Sequence, residues 1–412
     1  MTEPPVRASR TALSLIFTIA FLNTASATIV MPVVPFLTQR YVHTSAAVAL
    51  WVGVLASAYS LCALLAAPAL GALSDRVGRK PVLLVSLVGS AVGFIIFGIG
   101  GALWVLLLGR VIDGLTGGNI STIFAYLADV TPAEQRAKRF GLTGAITGVG
   151  FMLGPAIGGA LARFGLSMPV YVAAAVALIT AALSTFALPE SLSAEHRSAT
   201  FTLGDVHPFK TIGDALRRPQ LRPLLLGVLF LSIPMAGLQT NVSVVAKDAV
   251  GWGPTQIGLM LFGVGVVDII VQGGLLRVLL PRIGERGVVI AGMVGMGVGY
   301  ATIAIVASVL AAPWLLVAGT LLFSASEGGS GPAMSGLLSS AVSHREQGWV
   351  MGGLQSMNSA ARVVGPLLAG LLYSAIGHAA PYWFGLAVIV ALFVFWAPVL
   401  LRGHAEEAPS AS

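Results

Sequence analysis

Charged side chains are scarce in this chain. Asp, Glu, Lys and Arg make up 9% of the 412 residues, while 56% are hydrophobic. A soluble domain is ordinarily about 25% charged and about 45–50% apolar. Because so few polar groups cannot cover a folded surface in water, the composition excludes a soluble protein. One membrane helix needs roughly 20 apolar residues, so the chain is long enough for about a dozen spans.

Cysteine and histidine are equally sparse. The single cysteine, Cys62, excludes an intramolecular disulfide. The six histidines fall in loops and tails without clustering, and no nucleophile–base pair is visible. We therefore expect no metal site, no cofactor and no enzymatic activity.

Long apolar segments fill most of the sequence. Their continuity favours helices over the alternating strands of a membrane barrel. Their approximate bounds are residues 12–37, 49–73, 80–101, 103–128, 140–163, 168–188, 222–247, 256–280, 286–309, 312–337, 348–373 and 379–401. The predicted fold class is an all-α membrane protein with twelve transmembrane helices.

Lysine and arginine are unevenly distributed over the connecting segments. With a cytoplasmic N-terminus, most of the 23 Lys and Arg residues fall on the cytoplasmic side. The opposite side holds Arg40, Arg163 and Lys247, and Arg110 and Arg362 lie within spans. This bias follows the positive-inside rule. It predicts a multi-pass protein of the cytoplasmic membrane with both termini in the cytoplasm, and it explains the net charge of +7 without a nucleic-acid partner.

The second half of the chain echoes the first. Two pairs recur at one fixed offset: Gly117-Gly118 as Gly328-Gly329, and Gly154-Pro155 as Gly365-Pro366. A weaker echo relates Gly78-Arg79-Lys80 to Gly284-Glu285-Arg286. A fixed offset indicates duplication of a six-helix unit, a known transporter design with its substrate site near the membrane midplane between the repeats.

The longest polar stretch, residues 189–221, separates the two repeats. We therefore expect two pseudo-symmetric six-helix bundles. The predicted regions are an N-terminal bundle in residues 1–188, a cytoplasmic central loop in residues 189–221, a C-terminal bundle in residues 222–401 and a cytoplasmic tail in residues 402–412.

Two motifs stand out from this pattern. A charged island, GALSDRVGRKP in residues 71–81, interrupts the apolar sequence and predicts a tight loop at the membrane surface. In span five, the sequence GFMLGPAIGG of residues 150–159 repeats glycine every four residues. Such spacing places small residues on one helix face, where helices can pack closely in lipid.

These motifs resemble the major facilitator superfamily. The island matches the signature loop between spans two and three of that superfamily, and the span-five motif resembles the signature of its drug/proton antiporter branch. Residues 31–35, 188–192 and 251–252 are further similar to the tetracycline-efflux group of twelve-span antiporters. The resemblance covers essentially the whole chain. It implies proton-coupled efflux of a small, partly hydrophobic compound by alternating access, with lipid, protons and the compound as partners of a monomer.

The resemblance also implies roles for the two motifs. The island would form a conformational latch with an acidic residue at the inner end of span four, although plain topogenic charge is the alternative. The latch residues are Gly71, Asp75, Arg76, Gly78, Arg79, Lys80 and Asp129. The span-five motif would seal the two halves, or serve close packing alone, through Gly150, Gly154, Pro155, Gly158 and Gly159.

Ionisable residues inside spans are costly and usually functional. Arg110 and Asp113 are three residues apart on span four and can face each other. Asp268 and Glu327 lie in the middle of spans eight and ten. The resemblance assigns Arg110 to proton coupling and aligns Asp268 with a histidine of the tetracycline group. Any of the three carboxylates is a candidate for the coupling proton; a neutral ion pair and a cavity lining without titration are the alternatives.

Uncharged amides could line the substrate cavity, or merely bridge helices. They are Asn23, Asn119, Gln239, Asn241, Gln272, Gln355 and Asn358. Asn23 and Gly93 stand where the tetracycline group carries aspartates, so two negative charges that favour a metal-chelated cationic drug are missing. The alternative functions are an exporter or facilitator of a metabolite, such as a sugar or an amino acid, with the same fold, and a membrane sensor that does not transport.

Overall fold

The computed structural model of the chain describes residues 10–193, 195, 197, 222–340 and 347–402. Most of these residues are helical, and the described ranges contain no strand. Most of the predicted central loop of residues 189–221 and almost all of the predicted tail of residues 402–412 lie outside the described residues.

The helices follow the predicted apolar segments in order. They are α1 (Arg10–Ile29), α2 (Val34–Gln39), α3 (Ser45–Val77), α4 (Arg79–Ile99), α5 (Leu103–Leu115), α6 (Asn119–Asp129), α7 (Ala133–Leu161), α8 (Met168–Ala187), α9 (Arg222–Val250), α10 (Pro254–Ile270), α11 (Leu276–Ser308), α12 (Pro313–Ser340), α13 (Gln347–Ala375) and α14 (Ala380–Arg402). Spans one and four each consist of two consecutive helices, α1 with α2 and α5 with α6.

Eight helical stretches of the described chain are long and apolar enough to cross a membrane. One of them, Pro254–Ser308, has 55 residues and contains two predicted spans. Gly284 divides α11 inside this stretch, because its φ of 67° and ψ of 173° are not helical. The helices α12, α13 and α14 cover the last three predicted segments, so the helix order is consistent with twelve spans.

Helix α4 shows why these segments suit lipid. Its exposed large side chains recur at three- and four-residue spacing along one stripe: Val85, Val88, Val92, Ile95 and Ile99. Small and apolar side chains of the opposite face are buried. An apolar stripe of this length on an exposed face would be unfavourable in water, whereas it matches the hydrocarbon core of a bilayer.

The first compact unit comprises Met1–Thr44, Val54–Phe209 and Trp252–Gly265. Within it, α1 packs against α7 and α8, and α4 packs against α5 and α8. One hydrophobic cluster includes Ile16, Leu83 and Tyr126, and a second includes Phe94 and Phe97.

The second compact unit comprises Ser45–Gly53, Lys210–Gly251 and Val266–Ser412. Here α9 packs against α13, while α11 packs against α12 and α14. Its largest fully buried side chains are tyrosines: Tyr300, Tyr373 and Tyr382. The predicted division into bundles of residues 1–188 and 222–401 stays a prediction.

The duplicated motifs have partly equivalent backbones. Gly78 and Gly284 both adopt positive φ and both separate two helices. In contrast, Gly117-Gly118 lies in the break between α5 and α6, whereas Gly328-Gly329 lies within continuous α12. A glycine pair permits a helix break but does not impose one.

The structure confines the tight loop that is predicted for the charged island to a single residue. Helix α3 continues through Val77 and α4 begins at Arg79, so Gly78 alone is not helical. Helical hydrogen bonding tolerates charged side chains, and only the φ of 114° at Gly78 ends the first helix.

Candidate functional site

An arginine-centred network joins α3, α4 and α6. Arg79 Nε lies 3.0 Å from Asp129 Oδ2, and Arg79 Nη1 donates to Ser74 Oγ over 2.6 Å. The same guanidinium pairs with Asp75, one turn earlier. Ser191 Oγ also donates to Asp129 Oδ2 over 3.0 Å. We call these five residues the Arg79 network.

Glu190 occupies the N-terminus of α4, beside this network. Its carboxylate accepts backbone N–H groups of Arg79 at 2.8 Å and Lys80 at 3.2 Å. It also accepts the N–H groups of Ser191 and Leu192 at 3.0 and 3.1 Å. The first N–H groups of a helix have no intrahelical acceptor and favour a negative charge. Sequence reasoning missed this role, because the two ends of the contact are about 110 residues apart.

Most of the other predicted latch residues are glycines or exposed charged side chains. A side chain at Gly78 would overlap the Glu190 carboxylate, and its positive φ also favours glycine. Asp75 is 53% exposed and Arg76 is exposed. Gly71 faces open space. Of the predicted latch residues, the structure pairs Arg79 with Asp129 and with Asp75, and their role as a latch stays a prediction.

The span-five motif packs one glycine face of α7 onto α1. A Cβ at Gly150 would come within 2.9 Å of the Phe21 carbonyl oxygen. At Gly154 it would come within 2.8 Å of the Ala25 carbonyl oxygen, and at Gly158 it would overlap the Ile29 carbonyl. These helices can therefore approach closely only because the side chains are absent.

The adjacent face of α7 contacts α10. Thr255 Oγ1 donates to the Gly159 carbonyl over 2.9 Å, and a Cβ at Gly258 would overlap the Pro155 carbonyl. The five motif residues thus serve two helix contacts, which explains why adjacent glycines occur at positions 158 and 159.

Gly158→Val is expected to destabilise the folded protein by about 1–3 kcal/mol, because overpacking forces α1 and α7 apart. The matched change Gly144→Val, on an exposed position of α7 with open space around it, should have little effect. Thermal unfolding of the two purified variants in detergent provides the measurement. Equal melting temperatures would contradict the assigned packing.

An ion pair lies within the first unit. Arg110 Nη1 lies 3.4 Å from Asp113 Oδ2, and the Arg110 guanidinium stands 4.7 Å from the centre of the Phe97 ring. Asp113 is buried and also hydrogen-bonds Ser90. Gly93, on α4, faces Asp113 so closely that a Cβ there would come within 2.9 Å of the Asp113 Cβ. Gly93, where the resemblance to the tetracycline-efflux group implies an aspartate, thus lies directly beside the carboxylate of Asp113.

The second unit brings Asp268 and Glu327 together. Ser324 Oγ donates to Asp268 Oδ1 over 2.7 Å, and Gln239 Nε2 donates to Glu327 Oε1 over 3.1 Å. The two carboxylates interact electrostatically with each other, and Glu327 interacts with Arg362. We call Asp268, Glu327, Gln239, Ser324 and Arg362 the carboxylate cluster.

A glycine leaves room for the Asp268 carboxylate, and a π-helical turn follows the helix that holds it. A Cβ at Gly328 would lie 3.1 Å from Asp268 Oδ1, so glycine leaves room for the carboxylate of α10 beside α12. Residues Val271–Leu275 form a π-helical turn directly after α10. Single π-turns inside helices occur frequently at functional sites. This turn holds Gln272, which is exposed.

The remaining amides are dispersed. Asn358 accepts a hydrogen bond from Ser232 Oγ at 2.8 Å, which fits a bridge between helices. Asn119 and Asn241 are buried, Asn23 is partly buried, and Gln355 is exposed. Of the seven amides, Gln239 alone is hydrogen-bonded to the carboxylate cluster in the described part of the chain. The described residues contain no group of three or more His, Cys, Asp or Glu side chains that could hold a metal ion.

Comparisons with known proteins agree with this architecture. The sequence profile of the Major Facilitator Superfamily matches residues 16–279 and 224–412. The chain is 34% identical over 406 residues to the class C tetracycline resistance protein of Escherichia coli, which covers 98% of this chain and 99% of that protein. It is 30% identical over 277 residues to multidrug resistance protein 2 of Bacillus subtilis, covering 66% of this chain and 67% of that protein.

A solved structure has the same fold. The human organic anion transporter MFSD10 (TETRAN) superimposes with a TM-score of 0.70 at 25% identity, over 95% of this chain and 99% of that chain. The described helices, the lipid-type apolar surfaces and these matches together show that the chain is a multi-pass membrane protein that belongs to the Major Facilitator Superfamily.

Proposed function

We propose that the protein exports small, partly hydrophobic drugs across the cytoplasmic membrane in exchange for protons. The carboxylate cluster is the observation that carries this proposal. It places Asp268 and Glu327 within electrostatic reach inside membrane helices, with Gln239, Ser324 and Arg362 as partners. Ionisable groups held in this way inside a membrane mark ion and substrate paths.

Proton exchange follows from the charges of the cluster. Two neighbouring carboxylates and one guanidinium leave an excess negative charge, which a proton or a cationic compound can neutralise. Competition between a proton and a compound for this charge couples their movements, because each binds better when the other has left. The Arg110–Asp113 pair is already neutral and serves as a second, weaker candidate for coupling.

Antibiotics are the proposed substrate class. The relatives carry names of tetracycline and multidrug resistance proteins. Asn23 and Gly93 lower the negative charge along the path relative to the tetracycline group, which favours less strongly cationic compounds than a metal-chelated drug. The Arg79 network is proposed to hold one conformation of the alternating-access cycle, in a monomer with cytoplasmic termini.

Expression in a bacterial strain that lacks its own drug pumps tests the proposed activity. The chain should lower the susceptibility of that strain to tetracycline, a fluoroquinolone or ethidium, and collapsing the proton gradient should restore accumulation of the compound. Membrane insertion is verified by immunoblotting of the membrane fraction. Unchanged susceptibility to all three compounds, with the protein present in the membrane, would contradict drug export.

A further inference from the structure

A group of buried polar side chains extends from Glu327 within the second unit. Tyr300 is fully buried and lies near Glu327 and Tyr382. The Tyr300 hydroxyl and both polar atoms of the Asn241 side chain have no hydrogen-bond partner among the described residues. Buried polar atoms are nearly always hydrogen-bonded to protein or to water. These unpaired atoms therefore mark positions for internal water.

The group continues towards the end of α9. The Tyr382 hydroxyl lies 3.4 Å from the Asn241 carbonyl oxygen, and it interacts electrostatically with Asp248. The Asp248 side chain is 4% exposed and pairs with Lys247 Nζ at 2.9 Å. It also accepts a hydrogen bond from the Tyr373 hydroxyl at 2.8 Å. Polar groups are thus present at intervals between the cluster and this carboxylate.

The far end of this group reaches the surface. The ring of His378 stacks on Tyr373, with ring centres 4.6 Å apart and planes 13° apart. His378 itself is exposed. The uneven distribution of Lys and Arg predicts that this end of the second unit, with Lys247, faces the outside. Protons that drive export enter from that side.

A small cavity lies beside two of these tyrosines. A small cavity in the second unit is lined by Gly237 of α9, Gly365 of α13 and Tyr382 of α14, together with Tyr300. A tyrosine hydroxyl can both donate and accept a hydrogen bond. Water that bridges two such hydroxyls completes a hydrogen-bonded chain, and such a chain passes a proton without moving a side chain far.

We propose that Tyr300, Tyr382, Asn241 and Asp248 form the path by which protons reach Glu327 from the surface at His378. This inference rests on the proposed proton coupling, since it gives Glu327 its supply of protons. The residues are positioning residues for proton transfer and do not contact the exported compound. Arg362 and Asp268 face Glu327 at the inner end of the path, while Lys247 and Tyr373 face Asp248 at the outer end.

The Tyr300→Phe variant tests the path without an exported compound. Purified protein in lipid vesicles is subjected to a rapid pH jump, and the infrared band of the protonated Glu327 carboxyl is followed over time. The band is assigned by its loss in Glu327→Gln. Tyr300→Phe should slow the appearance of the band by about tenfold or more while the final amplitude stays the same, because a break in the path affects the rate of proton transfer.

Tyr126→Phe is the matched control. Tyr126 is also buried with an unpaired hydroxyl among the described residues, but it lies in the first unit. The Tyr126→Phe variant should leave the rate of Glu327 protonation unchanged. The Tyr382→Phe variant should slow it as Tyr300→Phe does. The proposed path would be contradicted if Tyr300→Phe and Tyr382→Phe both protonated Glu327 at the wild-type rate, or if Tyr126→Phe slowed this protonation equally.

The outcomes separate this inference from drug export. A slowed band in a protein that exports no compound would support the path and reject the proposed export. Export that is normal in wild-type protein, together with unchanged protonation rates in the variants, would reject the path alone. Absence of a Glu327 band in wild-type protein would reject both the path and coupling through Glu327.

Discussion

Glu327→Gln is expected to reduce gradient-driven drug transport by roughly 100-fold or more, in line with the loss of an essential proton-transfer group. Glutamine keeps the size of the side chain and a hydrogen-bonding oxygen for Gln239, but it cannot bind and release a proton. The cluster then loses the exchangeable charge that links the proton to the compound. The measurement is the initial rate at which proteoliposomes with an imposed pH gradient take up the compound for which the chain lowers bacterial susceptibility.

A second readout distinguishes coupling from folding. Exchange of labelled for unlabelled compound requires no net proton movement, so Glu327→Gln should retain it at compound concentrations high enough to saturate the variant. Glu134→Gln, the same change at an exposed residue of α7, should behave as wild type in both assays. Normal gradient-driven uptake by Glu327→Gln would remove Glu327 from the coupling mechanism.

Asp129→Asn is expected to have the second largest effect. It weakens the interactions of Asp129 with Arg79 and Ser191, and hydrogen bonds to charged groups contribute about 1.5–3 kcal/mol each. A change of that size shifts an equilibrium between two conformations by roughly tenfold to a hundredfold. We therefore expect at least a tenfold loss of transport, about 1.4 kcal/mol, while the protein remains inserted.

A double-mutant cycle identifies the contact itself. Arg79→Gln should cause a similar loss, and the Arg79→Gln/Asp129→Asn double variant should be no worse than either single variant, because the two side chains act through one interaction. Transport rates normalised to the amount of protein in the membrane provide the four values. If the fold losses of the two single variants multiply in the double variant, so that their free energies add, the two residues act independently.

The spans could be predicted closely because a helix in lipid must be continuously apolar, and the hydropathy of the sequence identifies such segments directly. The loop predicted at the charged island is longer than the one that the structure contains, for a physical reason. Charge indicates contact with water, and a helix can extend into water beyond the bilayer, as α3 does up to Val77. The single residue that ends the helix, Gly78, is set by backbone conformation rather than by polarity.

Local contacts of the site were predictable, and distant contacts were not. The spacing of Arg110 and Asp113 alone predicts their pairing, which the structure shows at 3.4 Å. The contact between Arg79 and Asp129 rested on family resemblance, since the residues are 50 positions apart. No sequence pattern connects Gln239 with Glu327, because their contact depends on how α9 packs beside α12.

The burial of the tyrosines could not be predicted from the sequence either. A tyrosine in an apolar segment is equally consistent with burial and with a position at the membrane interface, where its hydroxyl reaches water. The structure instead buries Tyr300 and Tyr382 inside the second unit, beside Asn241 and close to Glu327. The sequence offers Asn241 either as a residue of the substrate cavity or as a bridge between helices, whereas its burial beside Tyr382 favours the proposed proton path.

Drug uptake into proteoliposomes with an imposed pH gradient tests proton-coupled export most directly. Vesicles that are acidic inside should accumulate the compound for which the chain lowers bacterial susceptibility, and an ionophore that exchanges protons for potassium should abolish the accumulation. The Glu327→Gln variant should show no accumulation with or without the ionophore. Accumulation that persists at wild-type rates after the pH gradient has been collapsed would contradict proton-coupled export by this protein.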